Sequence, residues 1–367
     1  MHVAIATGLY PPEIGGPATF SVFFEKELKK RGIACTVVPF SSVRRLPKVI
    51  RHISYFFRVL RAIRADSVVL ALDPVSVGLP ALFASRVRGT PFFLRVGGNY
   101  AWEQAVQRWG FVGTPEDFSR AKELPFGART LSRIQSYVAR RARCVLVQSE
   151  SEAALVRHWG VAEFVITIVP NNVEVLSLPT RYELRKEFGW GEEFVVISAG
   201  RFVPWKGFMA LIDAVETLKP KYPDLRLLIA GDGPEGDRLR ARAKKNTRVE
   251  FLGVLSREQL ARAIKAADAF VLNTGYEGFS HQTLEAMALG TPVITTSIVG
   301  NADLAIDGQT AITVPFNDVA ALAEALQRAL LNPEPSATRA RIAAERARAF
   351  TPERTFTQTC VALGISL

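Results

Sequence analysis

Two glutamates, Glu277 and Glu285, stand eight positions apart with Gly278, Phe279, Ser280 and His281 between them. The stretch around them, residues 268–296, reads DAFVLNTGYEGFSHQTLEAMALGTPVITT. It predicts an apolar strand over 269–272, a polar loop and a helix over about 280–289. A Gly-Thr-Pro stop and a second apolar strand over 293–295 follow. That order is a βαβ unit. The loop and first helical turn are rich in backbone N–H groups with few side chains in the way. Free N–H groups and the dipole at a helix start favour a phosphate. An acid in the loop and another inside the helix can then straddle a sugar nucleotide. One carboxylate reaches sugar hydroxyls, and the other accepts two hydrogen bonds from a ribose diol; charge-assisted bonds are the strong ones. His281 reads equally as a phosphate or sugar contact and as a cap.

Two cations have a related spacing. Arg201 and Lys206 lie five apart in AGRFVPWKG, after an apolar strand over 194–198 and before a helix to about 218. Their tips can converge on one anion, although a lone Arg and Lys in a loop also read as solvated surface. A departing nucleoside diphosphate needs its new charge met by fixed cations or a metal. No Asp-any-Asp metal motif occurs in the chain. The expectation is therefore no metal and no cofactor, with Arg201 and Lys206 in the metal's place.

The string Glu277-Gly278-Phe279, then Glu285-Ala286-Met287, then Gly290-Thr291-Pro292-Val293-Ile294, resembles the Glu-x7-Glu signature of retaining GT-B glycosyltransferases, glycosyltransferase family 4. Gly200-Arg201 with Lys206-Gly207 is similar to that family's second fingerprint. Pro170-Asn171-Asn172-Val173 is similar to its domain-crossing segment. Gly231-Asp232-Gly233-Pro234 also occurs in the family, but a tight turn explains it without a ligand. The resemblance covers nearly the whole chain; it is strong over 194–316, fair over 1–32 and weak over 90–125. It implies an α/β GT-B fold, two doubly wound Rossmann-like domains facing a central cleft. It implies a nucleotide-sugar donor and a retained anomeric configuration.

By the same resemblance, Glu277 orients the donor sugar and Glu285 the ribose. Arg201, Lys206 and the helix start at Gly278, Phe279, Ser280 and His281 hold the diphosphate, and backbone near Val254 reads the nucleobase. Gly15 and Gly16, which open a helix after the strand 2–7, match the glycine loop that faces the diphosphate from the first domain. The chain departs from the family at one place. Many relatives carry a histidine just after the strand over 91–96, near the reacting carbon. Here His2, His52, His158 and His281 are the four histidines, and none is there. Asn99, Tyr100, Trp102 and Glu103 must cover that ground, joined by Asp73 at the end of the strand over 68–72. Ligands of open α/β sheets bind beyond the carboxyl ends of strands. The expected catalytic set is Arg201, Lys206, Glu277 and Asn99; Asp73, Tyr100, Trp102 and Glu103 face the acceptor.

The rest of the chain must position these groups. Its 367 residues suit two domains of about 170–190 residues. The expected division is 1–170, with a helix at about 350–367 packing back onto it, and 171–349. Cys35, Cys144 and Cys360 are odd in number and lack metal spacing. They read as reduced and buried in a cytoplasmic protein. MHVAIATGLYPPE lacks a charged n-region and is not expected to be a signal peptide. Residues 67–87 read as strand, loop and helix, not a membrane span, because Asp73-Pro74 and Pro80 interrupt them.

Charge is unevenly placed. Residues 1–170 hold 23 Lys/Arg and 12 Asp/Glu, a balance of +11, whereas 171–367 hold 23 of each. Residues 43–64, VRRLPKVIRHISYFFRVLRAIR, contain seven Lys/Arg and no acid. Ile50, Ile53, Phe57 and Leu60 recur there at helical spacing beside the basic residues. That is the pattern of a helix lying in a lipid interface, where each cation near an anionic leaflet contributes about 1 kcal/mol. A core-facing helix with a solvated basic face has the same pattern. A second cluster, Arg129, Arg133, Arg140, Arg141 and Arg143, tips the reading toward an anionic membrane. Aromatic residues for base stacking are sparse, so no nucleic-acid partner is expected.

The expected function is transfer of a sugar to a hydroxyl of a lipid-linked or membrane-proximal glycan acceptor. The protein would be cytoplasmic and peripheral on the inner face of the cell membrane. Two alternatives stand beside it. One is the same chemistry on a soluble small molecule or polysaccharide. The other is a non-catalytic nucleotide-sugar or polyanion-binding protein, favoured only by the missing histidine.

Overall fold

The structure is a computed structural model describing residues 1–13, 15–174, 176–244 and 248–367. Ile14, in the expected glycine loop, lies outside the described residues. The chain divides into two compact units, Met1–Asn171 with Glu353–Leu367, and Asn172–Pro352.

The first unit is built on β1 (His2–Thr7), β2 (Ala34–Pro39), β3 (Ser67–Ala71), β4 (Phe92–Arg95), β5 (Cys144–Val147) and β6 (Ile166–Ile168). All are parallel, in the order β2-β1-β3-β4-β5-β6. Parallel strands covered by helices on both faces read as continuous apolar runs. β1 and β3 accordingly are buried at every position. On one face Tyr55 and Val59 of the helix Lys48–Ala62 pack into the core with Val69 and Leu94. On the other, Phe20, Phe24 and Leu28 of the helix Gly16–Lys30 meet Phe356, Cys360 and Leu363 of the final helix Pro352–Leu363. That last helix is tied down by Thr355 Oγ1, which donates to Pro170 O at 3.1 Å, and by an Arg31–Glu353 ion pair.

The second unit holds β7 (Phe194–Ala199), β8 (Leu225–Ala230), β9 (Val249–Gly253), β10 (Ala269–Leu272), β11 (Val293–Thr296) and β12 (Ile312–Val314). These are parallel too, in the order β12-β11-β10-β7-β8-β9. The order reverses between β7 and β10. Loops beyond the carboxyl ends of two such strands diverge and leave a crevice, where ligands of this architecture bind.

Three features differ from the sequence reading. No strand was expected over 34–39 or 312–314. β2 is a half-exposed edge strand without an apolar run, and β12 has three residues. Residues 97–103 are not an open loop, because a helix already begins at Tyr100. Cys35 and Cys144 are half-buried rather than buried; Cys360 is buried, and all three are free thiols.

Candidate active site

In the second unit the loops after β7 and β10 are stitched together. The loop after β7 runs through Arg201 to a 3₁₀ turn, Pro204–Lys206, and then into the helix Phe208–Leu218. The loop after β10 reaches back to it. Gly275 N donates to Trp205 O at 2.7 Å, and Thr274 Oγ1 donates to the same oxygen at 3.1 Å. Asn273 Nδ2 donates to Gly207 O at 2.8 Å. Asn273 and Thr274 are buried, so these bonds are shielded from competing water. The Gly231-Asp232-Gly233 turn braces the first loop from the other side: Phe202 N donates to Asp232 O at 2.9 Å. A Cβ on Gly231 would stand 1.9 Å from Gly200 O, so this glycine serves close packing.

The stitching brings Lys206 and Glu277 together. Their side chains form an ion pair in which they are only 12% and 16% exposed. Arg201 is exposed on the same loop, and its guanidinium meets no acid among the described residues. The helix His281–Ala288 starts beside Glu277. Ser280 is its cap: Oγ accepts from Thr283 N at 3.2 Å, which commits that side chain to the protein. Phe279 is buried, its ring 5.1 Å from that of Phe350. Both side chains are thus committed to the protein, and the expectation at this helix start concerns backbone alone. Among the described residues, the N–H groups of Gly278, Ser280 and Gln282 meet no protein acceptor. His281 is half-buried.

Glu285 lies farther along this helix, half-buried. Its Oε1 accepts from Arg257 Nε at 3.2 Å. Burial pushes its carboxyl pKa up, and the Arg257 guanidinium pulls it back down. Val254 is exposed beyond the end of β9. Sequence reasoning missed Asn273, Arg257 and Glu174. Asn273 carried a signal, a polar residue directly after a buried strand. Nothing in the spacing of Arg257 or Glu174 pointed to Glu285.

In the first unit the expected acceptor residues divide. Asp73 is loop scaffolding: Oδ1 accepts from Val75 N at 2.7 Å and Ser76 N at 2.8 Å, and Oδ2 from Val77 N at 3.3 Å. Burial still raises its carboxyl pKa despite those bonds. Tyr100 is half-buried, bonded to Ser76 near Asp73, its phenol pushed up by burial. Glu103 is half-buried in the first turn of the helix Tyr100–Trp109.

Asn99 and Trp102 need correcting. Asn99 is fully buried, and its Oδ1 accepts from Trp102 N at 3.2 Å and Gln135 Nε2 at 3.0 Å. Trp102 is buried with Nε1 donating to Gly113 O at 3.0 Å. Asn99 caps the helix, and both side chains are buried and bonded to neighbouring residues of the first unit rather than open to solvent. Gly15 and Gly16 open the helix Gly16–Lys30. A Cβ on Gly15 would meet Leu9 Cδ1 at 2.7 Å, whereas one on Gly16 would meet nothing within 4 Å. The protein's own packing thus accounts for the first glycine and not for the second.

The basic helix Lys48–Ala62 turns Tyr55 and Val59 inward and leaves Val49, Ile50, Ile53 and Phe57 about half-exposed or more. Leu60, expected on the outer stripe, packs partly against the core. Arg129, Arg133, Arg140, Arg141 and Arg143 are exposed and meet no acid among the described residues. No helix of the described residues is long and apolar enough to cross a membrane. None of their His, Cys, Asp and Glu side chains cluster as a metal site would require.

Two α/β units, each built on a parallel six-stranded sheet with flanking helices, match the GT-B architecture. The family model described as Glycosyl transferases group 1 matches residues 180–348, and the Glycosyl transferase 4-like domain matches residues 2–172. The chain belongs to the GT-B glycosyltransferases of this group. It is 32% identical over 225 residues to glycogen synthase of Mycobacterium tuberculosis, covering 60% of this chain and 53% of that one. It is 35% identical over 167 residues to phosphatidyl-myo-inositol mannosyltransferase of Mycobacterium leprae, covering 45% and 44%. The chain thus spans about half the length of these curated relatives. The crystal structure of Anabaena HepE with UDP and glucose superposes with a TM-score of 0.76 at 18% identity, covering 99% of each chain, a likeness of fold.

Proposed function

We propose that this protein is a retaining glycosyltransferase that moves a sugar from a nucleoside-diphosphate sugar to an acceptor hydroxyl. One observation carries the reading. Lys206, Arg201, Glu277 and a helix start where, among the described residues, the N–H groups of Gly278, Ser280 and Gln282 meet no acceptor are held on two loops bonded to each other at the switch point of one sheet. The backbone of both loops is fixed before ligand arrives, so only the Lys206 and Glu277 side chains have to reorient to meet developing charge. In the reaction, the bond from the anomeric carbon to the phosphate oxygen breaks, and the acceptor oxygen bonds that carbon on the same face. The leaving phosphate oxygen takes the acceptor's proton. Arg201, Lys206 and the amides around 278–282 meet the diphosphate's charge in place of a metal. Lys206 is paired with Glu277 until the donor enters between them and Glu277 turns to the sugar hydroxyls. Gly15, Gly16 and Val254 are further proposed donor contacts, and Tyr100 and Glu103 proposed acceptor contacts.

The test is turnover. A panel of UDP, GDP and ADP sugars should include one that raises the melting temperature and is consumed with acceptor-dependent release of its nucleotide. A ligand at 100 times its dissociation constant stabilises by about 2.7 kcal/mol. A panel that leaves the melting temperature unmoved throughout counts against the reading.

The acceptor is proposed to be a lipid-linked or membrane-proximal glycan. Support comes from the exposed Val49, Ile50, Ile53 and Phe57 beside Arg58 and Arg61, which are exposed and meet no acid among the described residues. The name of the mycobacterial mannosyltransferase, a relative acting on phosphatidyl-inositol, points the same way. In low salt the protein should sediment with anionic vesicles and not with neutral ones, and Ile53→Ser with Phe57→Ser should release it. Equal recovery from both vesicle types would leave a soluble acceptor as the better reading.

A further inference from the structure

Arg257 is not part of the resemblance and touches none of the phosphate-binding groups, yet it joins three chain segments. It is the first residue of the helix Arg257–Ala266, capped by Ser256 with a reciprocal bond from Gln259. Its Nε donates to Glu285 Oε1 at 3.2 Å. Its Nη1 donates to Glu174 Oε2 at 2.9 Å, and its Nη2 to Glu174 O at 3.1 Å. All three residues belong to one unit. Glu174 is itself anchored by its neighbour, Val173 N donating to Phe350 O at 2.9 Å. A guanidinium is a rigid planar fork, so two bonds to Glu174 fix the direction in which Nε points.

We propose that Arg257 is the positioning residue for ribose recognition: locked by Glu174, it holds Glu285 turned so that its remaining lone pairs face the nucleotide's diol. This rests on the donor-site reading and deepens it. A carboxylate offers about four lone-pair sites, so one bond to Nε leaves enough acceptors for two hydroxyls. Ionisation matters because a protonated carboxyl gives up an acceptor position. Glu285 sits where burial favours the neutral form, and the opposing charge comes from Arg257 on the adjacent helix. Binding that needs ionised Glu285 is present above its pKa and fades as pH falls through it. Removing Arg257 raises that pKa, so binding must fade at a higher pH.

The experiment is calorimetric titration of the intact protein from pH 5 to 8. The probe is whichever of UDP, GDP and ADP binds wild type tightest, set against its 2′-deoxy counterpart. Wild type should prefer the ribonucleotide by about tenfold or more, the worth of a hydrogen bond to a charged group. Arg257→Ala should shrink that preference to less than about threefold and move the pH limit up. Arg257→Lys, which keeps the charge and loses the fork, should keep the pH limit near wild type. Glu174→Gln, which weakens the lock on the guanidinium and keeps its charge, should shrink the ribose preference in the direction of Arg257→Ala, by less. If Arg257→Ala weakens both nucleotides equally with an unmoved pH limit, Arg257 is only structural and the proposal falls. If wild type binds none of the nucleotides, the donor-site reading itself falls.

Discussion

Lys206→Ala should lower turnover of the donor sugar by about 10²–10³-fold, the usual cost of one preorganised charge-stabilising donor, while the protein stays folded. The size follows from where Lys206 stands. It closes a 3₁₀ turn whose carbonyls at Trp205 and Gly207 are gripped by Gly275, Thr274 and Asn273. Water cannot take its place at so little reorganisation. Removing it also leaves Glu277 facing no partner in a largely buried position, and an orphaned carboxylate could by itself disturb the loop. The double variant Lys206→Ala with Glu277→Gln, measured against Glu277→Gln alone, separates the two causes. If the lost cation is what matters, the double variant regains the melting temperature but turns over far more slowly than Glu277→Gln alone. Turnover equal to that of Glu277→Gln alone would mean that Lys206 serves only to neutralise Glu277.

Gly300→Ala should be the most damaging single-methyl change. Its Cβ would stand 1.5 Å from the carbonyl oxygen of Glu277 and 2.5 Å from its carbonyl carbon. Those are backbone atoms, so no rotamer change relieves the clash. The loop carrying Glu277 must move instead, and overpacking of this kind costs about 1–3 kcal/mol. In a unit of this size that corresponds to a melting temperature lower by about 2–12 °C. Activity should fall further than stability implies, by about 100-fold, because displacement of a catalytic group by about 1 Å costs that much. Gly16→Ala is the comparator, since its Cβ meets nothing within 4 Å and its melting temperature should not drop. Unchanged turnover in Gly300→Ala at a lowered melting temperature would show that Glu277 need not be held where it is.

The fold class was legible because parallel strands packed on both faces write apolar runs, as in β1, β3 and β10, with Gly and Pro between them. β2 and β12 escaped because an edge strand is only half covered and a three-residue strand writes no pattern. In the site, residues 268–296 carried their own punctuation, so the loop, the helix start and the strands on either side could be placed. The tertiary partners could not be. Arg257 meets Glu285 across 28 positions, and Asn273 meets Gly207 across 66. Neither pairing has a local signature. Asn99 and Trp102 were misread for a related reason. Asn-Tyr-Ala-Trp-Glu reads as the open end of a strand, whereas Asn99 serves as a helix cap. Once capped, the helix turns Trp102 inward, and the polar type of Asn99 reflects capping, not chemistry.

The most direct measurement is a crystal structure of the protein soaked with a nucleoside diphosphate from the binding panel. The expected result is phosphate oxygens within about 2.7–3.2 Å of Lys206 Nζ, the Arg201 guanidinium and the amides around Gly278–Gln282, with the ribose against Glu285. A nucleotide bound elsewhere, with the Lys206–Glu277 pair closed and those amides untouched, would contradict it.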